Sequence, residues 1–268
     1  QVIAMQDVAP VGCQVHLDFN ASSTFDAIAP LLRKLEKFPV VGRIEDPIVA
    51  SDPKGWRKLR GMSVIPILAH HAPVEFMTRG LCDGLMSGHA AVGAAAKTAA
   101  LAEASGTPFM LQNGGGTLNQ AFLAHQAAVF RMATIDHCNL ARLWKDDVTV
   151  ETTPIVDGHI RVPDGPGIGV TLNRQKLRKY ESATRPRYRP FLVRIRYRTG
   201  PTIYARHDPH QPGATDNLRL LKRLLGEQIP GPVPAYDNDV ITDFMDGRHS
   251  TRFQQLWKAT ASGPVVEN

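Results

Sequence analysis

Residues 14–20 read Gln-Val-His-Leu-Asp-Phe-Asn, and residues 40–47 read Val-Val-Gly-Arg-Ile-Glu-Asp-Pro. Each is a short run rich in branched apolar residues that breaks into acids and amides at its C-terminal end, the pattern of a buried strand entering a loop. The pattern repeats and predicts six strands, at Gln14–Leu17, Val40–Ile44, Val64–Leu68, Gly84–Met86, Pro108–Leu111 and Met132–Ile135. Between them Phe25–Lys37 and Val92–Ser105 carry helical spacing, and Gly106-Thr107-Pro108 stops the second helix and feeds the next strand. Strands alternating with helices imply an α/β fold with a parallel sheet, because parallel neighbours need a crossover connection.

Buried parallel strands deliver the residues at their C-terminal ends to one rim, which is where barrel enzymes build their sites. Here that rim carries Asp18 with Asn20, Glu45 with Asp46, His70 with His71, Ser87 to His89, and Gln112 with Asn113. Alternation puts His16, Asp18 and Asn20 on one face of their strand, and Arg43 and Glu45 on one face of theirs. The acids read as ligands of a hard cation, which takes oxygen donors, or as caps of the helices that follow. His70 and His71 read as a metal ligand and a base, since imidazole titrates near neutrality, or as the polar rim of a site without metal. Residues 112–116, Gln-Asn-Gly-Gly-Gly, could offer backbone amides to a carboxylate or hydroxyl. They lack the lysine and serine or threonine of a phosphate loop, so a nucleotide is not expected there. His89 reads as a surface or satisfied histidine and Lys97 as a solvated helix residue.

The chain has 268 residues, 43% hydrophobic and 21% charged, enough to bury a full core. No stretch reaches the roughly 18 consecutive apolar residues of a membrane span. Residues 1–20 show no basic start followed by an apolar block, so no secretory signal is read. Three cysteines, Cys13, Cys82 and Cys138, are odd in number and far apart, which argues against disulfides or a paired-cysteine zinc site and for a cytoplasmic setting. The formal charge of +6 is concentrated, with seven arginines and no acid in residues 185–206. No zinc finger, helix-turn-helix or stacking-aromatic motif accompanies it, which argues against nucleic acid. Within that segment Phe191, Val193, Ile195 and Tyr197 alternate with Leu192, Arg194, Arg196 and Arg198, a strand with one largely arginine face, exposed or turned to a partner. Thr215–Leu225 then reads as a short amphipathic helix and Ile229–Pro234 as a linker to a C-terminal tail.

Several phrases together resemble the enolase superfamily, in its mandelate racemase and muconate-lactonizing branch. They are Leu17-Asp18-Phe19-Asn20, Ile44-Glu45-Asp46-Pro47, Val64-Ile65-Pro66-Ile67, and Lys97 to Ala102 running into Gly106-Thr107-Pro108. A closing phrase from Val156-Asp157-Gly158 to Gly169 is similar to that family's return segment after the barrel. The resemblance implies a TIM-type (β/α) barrel portion. Residues 1–180 would form barrel and return segment, and residues 181–268 a basic C-terminal extension that covers the barrel or joins subunits of a homo-oligomer. The family's capping domain and first two strands would come from a missing N-terminal polypeptide, since a closed barrel of this type has eight strands.

In that family a divalent cation, usually magnesium, binds a substrate carboxylate and stabilises the enediolate formed when a base removes the adjacent proton. By position Asp18 matches the first metal ligand and Glu45 the second, with Asn20 and Asn113 as substrate-side polar groups. His71 falls where a third acid is expected. A nitrogen donor suits zinc, manganese, iron or nickel better than magnesium, so another divalent metal, or none, are the alternatives. Gln112 stands at the family's catalytic histidine, and its orienting acid falls near Leu85, so the usual base is absent. His71, His70 and Gln112 remain as catalytic candidates. The implied function is a lyase or isomerase acting on a hydroxy- or sugar-acid carboxylate, a metal-dependent dehydratase or racemase if active. The alternative is a non-catalytic or regulatory relative that binds an acidic ligand.

Overall fold

The computed structural model describes residues 1–70, 72–87, 92–184, 189–198, 200–208, 240–247 and 249–268. Helix α1 (Val2–Val8) leads into β1 (Val15–Asp18), α2 (Phe25–Leu35), β2 (Val41–Glu45), α3 (Pro53–Met62), β3 (Ile67–Ala69) and α4 (Glu75–Thr78). There follow β4 (Gly84–Ser87), α5 (Val92–Ser105), β5 (Phe109–Asn113), α6 (Thr117–Val129) and β6 (Ile135–Asn139). The six strands form one sheet in sequence order, a partial (β/α) barrel. The pairings β1/β2, β3/β4, β4/β5 and β5/β6 are all parallel.

Two strands are displaced from their predicted positions. β3 begins at Ile67 rather than Val64, because Pro66 has no N–H to give a ladder. β6 begins where Met132–Ile135 was expected to end, because the apolar residues there close the turn after α6. The Ala133 N–H donates to Phe130 O at 2.9 Å, and the Phe109 N–H to Met132 O at 2.8 Å. Helix α5 has the predicted bounds, while α2 stops two residues short of Lys37. Its amphipathic logic is plain: Ile28, Leu32 and Leu35 form the buried stripe, the Thr24 side chain caps the N-terminus by accepting from Ala27 N–H at 3.4 Å, and Arg33 and Lys34 sit at the negative end of the helix dipole.

Contacts divide the chain into two compact units, Gln1–Gly55 with Pro186–Asn268, and Trp56–Arg185. In the second, β7 (Ile155–Val156) and β8 (His159–Ile160) make a hairpin whose turn, Asp157-Gly158, has positive φ at both residues, 49° and 77°, as a two-residue turn of this hand requires. Helix α7 (Arg174–Glu181) follows. In the first unit β9 (Phe191–Tyr197), β10 (Thr202–His207), β11 (Val240–Met245) and β12 (Val265–Glu267) form an antiparallel sheet in the order β11-β9-β10-β12. Helix α8 (Thr251–Ala259) lies on it, burying Phe253 and Leu256 with Leu192 and Tyr204. The expected arginine strand is therefore an inner strand, paired on both edges. The regions read as an amphipathic helix at Thr215–Leu225 and a linker at Ile229–Pro234 lie outside the described residues. Among the described residues no helix is long and apolar enough to cross a membrane.

The arginine face of β9 is matched by one acid on β11. Arg194 donates through Nε and Nη2 to the two oxygens of Asp243 at 2.8 and 2.9 Å, and Arg196 Nη2 adds a third bond at 2.7 Å. The Arg194 hydrogen bonds hold the Asp243 carboxyl below its ordinary range, helped by the charges of both arginines and opposed by slight desolvation. A depressed carboxyl contributes stability above its unfolded pKa and loses it as pH falls through the folded value. Asp243→Asn is accordingly expected to lower the melting temperature at neutral pH. The gap to wild type should close in melts taken down through and below the carboxylate range.

Candidate functional site

Val15 pairs with Val41, yet His16 pairs with Arg43, so Gly42 is an extra residue in β2 and Asp18 comes to lie opposite Glu45. The pairing continues beyond both strands, where Phe19 N–H donates to Glu45 O at 2.9 Å and Ala21 N–H to Asp46 O at 2.7 Å. This continuation runs through left-handed backbone, with φ of 49° at Asn20, 55° at Ala21 and 41° at Asp46. Asn and Asp reach that region more readily than other residues with a Cβ. Asn20 then closes on the acid two residues before it: its backbone N–H donates to Asp18 Oδ1 at 2.7 Å and its Nδ2 to Oδ2 at 2.6 Å.

His16 Nε2–H donates to Glu45 Oε2 at 2.7 Å. His16 and Asp18 share a strand face, so Glu45, in meeting His16, turns its carboxylate toward that face. Glu45 is 2% exposed and Asp46 4%. Each offers a carboxylate oxygen within 4.8 Å of the other's. In the first unit Asp18 thus stands across the ladder from Glu45, with Asn20 bonded to Asp18, His16 to Glu45 and Asp46 beside Glu45; His16 and Asp46 had been read only for their place on a strand face or rim.

In the second unit His70 follows β3, half-buried, while His71 and His89 lie outside the described residues. Gln112 and Asn113 end β5, opposite Cys138 and Asn139 of β6. Gln112 Oε1 is buried with no hydrogen-bond partner among the described residues. Asn113 Oδ1 accepts from Gly115 N–H at 3.2 Å and from Asn119 Nδ2 at 3.1 Å, bracing the glycine turn. The turn opens α6, and Asp147 Oδ2 accepts from the Thr117 N–H there at 2.6 Å. An internal carboxylate thus engages the helix start, the place where an external anion would otherwise bind.

Sequence reasoning also missed Asp136 and His137, because the predicted strand ended at Ile135. His137 Nδ1 accepts the Leu111 N–H at 3.2 Å, where the β5/β6 register slips between Met110 and Gln112. Desolvation on its covered side pulls the His137 pKa below the ordinary imidazole value, against the raising influence of Asp136. Only a deprotonated Nδ1 can accept such a bond. The signal available was the apolar-to-polar break in Ile135-Asp136-His137, the same break that marks the other rim positions.

With this geometry in place, comparison with known families finds that residues 1–176 match one described as enolase C-terminal domain-like. The chain belongs to that family. Chloromuconate cycloisomerase of Pseudomonas putida is 30% identical to this enolase-like chain over 190 residues, covering 63% of the chain and 48% of the relative. D-gluconate dehydratase of Thermoproteus tenax is 23% identical over 194 residues, covering 68% of the chain and 38% of the relative. Among solved structures, 2-chloromuconate cycloisomerase from Rhodococcus opacus 1CP superimposes with a TM-score of 0.61 at 25% identity, covering 67% of this chain and 52% of that one. The enolase-like chain spans about half the length, or less, of the curated relatives it matches.

The register that sets this domain's acid pair depends on a residue without a side chain. A Cβ at Gly42 would stand 2.7 Å from Gln14 Cβ, too close for either strand to keep its course. Gly42→Ala is expected to destabilise the enolase-like domain by about 1–3 kcal/mol, as overpacking does, measured by urea unfolding.

Proposed function

We propose that this chain serves lyase or isomerase chemistry on a small hydroxy- or sugar-acid carboxylate, beginning with removal of the proton beside the carboxylate. The observation that carries this reading is the Asp18–Glu45 pair, set opposite each other by the β1/β2 register and facing the same way. Relatives named for chloromuconate and D-gluconate support the carboxylate class.

Members of the enolase superfamily use a divalent metal. Carboxylates buried as deeply as Glu45 and Asp46 hold their charge at a desolvation cost that a cation offsets, and oxygen donors suit a hard one. On that ground the residues fit the group. Asp18 and Glu45 would hold it, with His71 as third ligand by family position. Magnesium suits the oxygen donors, and a transition metal suits the nitrogen. When bound, the cation would stabilise the charge that grows on the substrate carboxylate as the proton leaves. Imidazole is a base near neutrality, so His70, or His71 where it does not ligate the cation, would take the proton. Asn20 orients Asp18 through its two bonds, and Gln112 and Asn113 would bind substrate through their amides.

A second reading rests on Gln112, whose buried Oε1 has no hydrogen-bond partner among the described residues. By resemblance it falls where the family has a base, and an amide exchanges no proton near neutrality, which suits a non-catalytic relative that binds an acidic ligand. Calorimetric titration with Mg2+ and Mn2+, followed by a screen of hydroxy and sugar acids, separates the two. The wild-type protein is expected to bind a divalent cation and Glu45→Gln to weaken it more than about tenfold. Equal binding by the variant would remove Glu45 from the ligand set. A cation and an acid bound together, with no turnover across the screen, would select the second reading.

A further inference from the structure

We propose that His16 is a positioning residue for Glu45, fixing its carboxylate plane for the divalent cation. The proposal rests on the reading of Glu45 as a metal ligand. Nothing in the ligand set above gives His16 a role, yet its ring makes the 2.7 Å bond that the Glu45 side chain shows to β1.

The terminal torsion of a glutamate is broad and nearly two-fold, so the plane of its carboxylate is set by what it touches. Glu45 is 2% exposed, and bulk water does little to set that plane. His16 does so from a short base: the imidazole stands two torsions from a strand whose register against β2 is locked, and its Nε2–H fixes one carboxylate oxygen and with it the plane of the other. The second ring nitrogen, Nδ1, is buried with no hydrogen-bond partner among the described residues. The ring's polar engagement is therefore directed at Glu45.

The residue type matters as well as the distance. A lysine or arginine in this place would also hydrogen-bond Glu45, but would bring a permanent positive charge beside the cation and oppose its binding. An imidazole donates the same bond without carrying a permanent charge. Groups that hydrogen-bond a ligating carboxylate orient it and tune its hold on the metal, and their removal costs about 10- to 100-fold in affinity.

The test compares Mn2+ binding by wild type, His16→Leu and His16→Gln in calorimetric titration of the purified protein, with melting temperatures of the metal-free forms. Glutamine reaches the place of the ring Nε2 and keeps an N–H there, whereas leucine fills the space without a donor. The expected result is an affinity about 10- to 100-fold weaker in His16→Leu and largely restored in His16→Gln. His16→Phe, planar and without a donor, takes the place of His16→Leu if that variant fails to fold. Unchanged affinity in the leucine or phenylalanine variant overturns the positioning role and leaves Glu45 a ligand. A glutamine variant as weak as leucine overturns it too, since the donor would not be what counts. A lower metal-free melting temperature with wild-type affinity makes His16 merely structural. Wild-type protein that binds no divalent cation overturns the ligand reading and this proposal together.

Discussion

Between Val15/Val41 and His16/Arg43 the β1/β2 ladder gains one residue on one side only. In a strand the side-chain period is two, so a single inserted residue exchanges the faces of everything beyond it. Without Gly42 as the extra residue, Asp18 would stand opposite Ile44, and Glu45 would project to the other side of the sheet. The bond from His16, the continuation of pairing through Phe19 and Ala21, and the turn of the Glu45 carboxylate toward the Asp18 face all follow from that insertion. A bulge near the rim of a parallel sheet acts here as the device that aims the acids.

Energetics then explain why the surrounding loops are bent as they are. Hydrogen bonds to a carboxylate are among the stronger ones. Asp18, though exposed, takes two from Asn20, which enters left-handed backbone to bring both its N–H and its side-chain amide onto one carboxylate. Ala21 has no polar side chain to reward that conformation, and it is held there by the bond its N–H donates to Asp46 O. Local strain at Ala21 is thus offset by a hydrogen bond across to the continuation of β2, and strain at Asn20 by its two bonds to Asp18.

The fold was legible because apolar runs and polar breaks alternate strongly, and α5, with its unbroken alanine-rich helix pattern, was read to the residue. What escaped was whatever depends on pairing rather than on hydropathy. Met132 to Thr134 look like strand, but their backbone closes a turn, and β6 instead runs on through the more polar Asp136 and His137. Asp18 and Glu45 were legible as candidates because strand ends collect on one rim. His16 was not, because its importance lies in a bulge that no local pattern announces.

The arginine-rich segment shows the same limit in its charge. Read along the chain, residues 185–206 are an uninterrupted positive segment with seven arginines. In the antiparallel sheet a charge's partner can lie far along the chain. Asp243 lies directly across from Arg194 on the adjacent strand and bonds Arg196 as well. Arg206 is 7% exposed, with its guanidinium 5.0 Å from the Trp257 ring centroid and 3.7 Å from Asp208. Positive charge held in this way is matched inside the sheet, by partners between two and about fifty positions away, and its field at the surface is correspondingly weaker than the count suggests. A net charge of +6 therefore says less about a polyanionic partner than the sheet register does about which arginines remain to meet one.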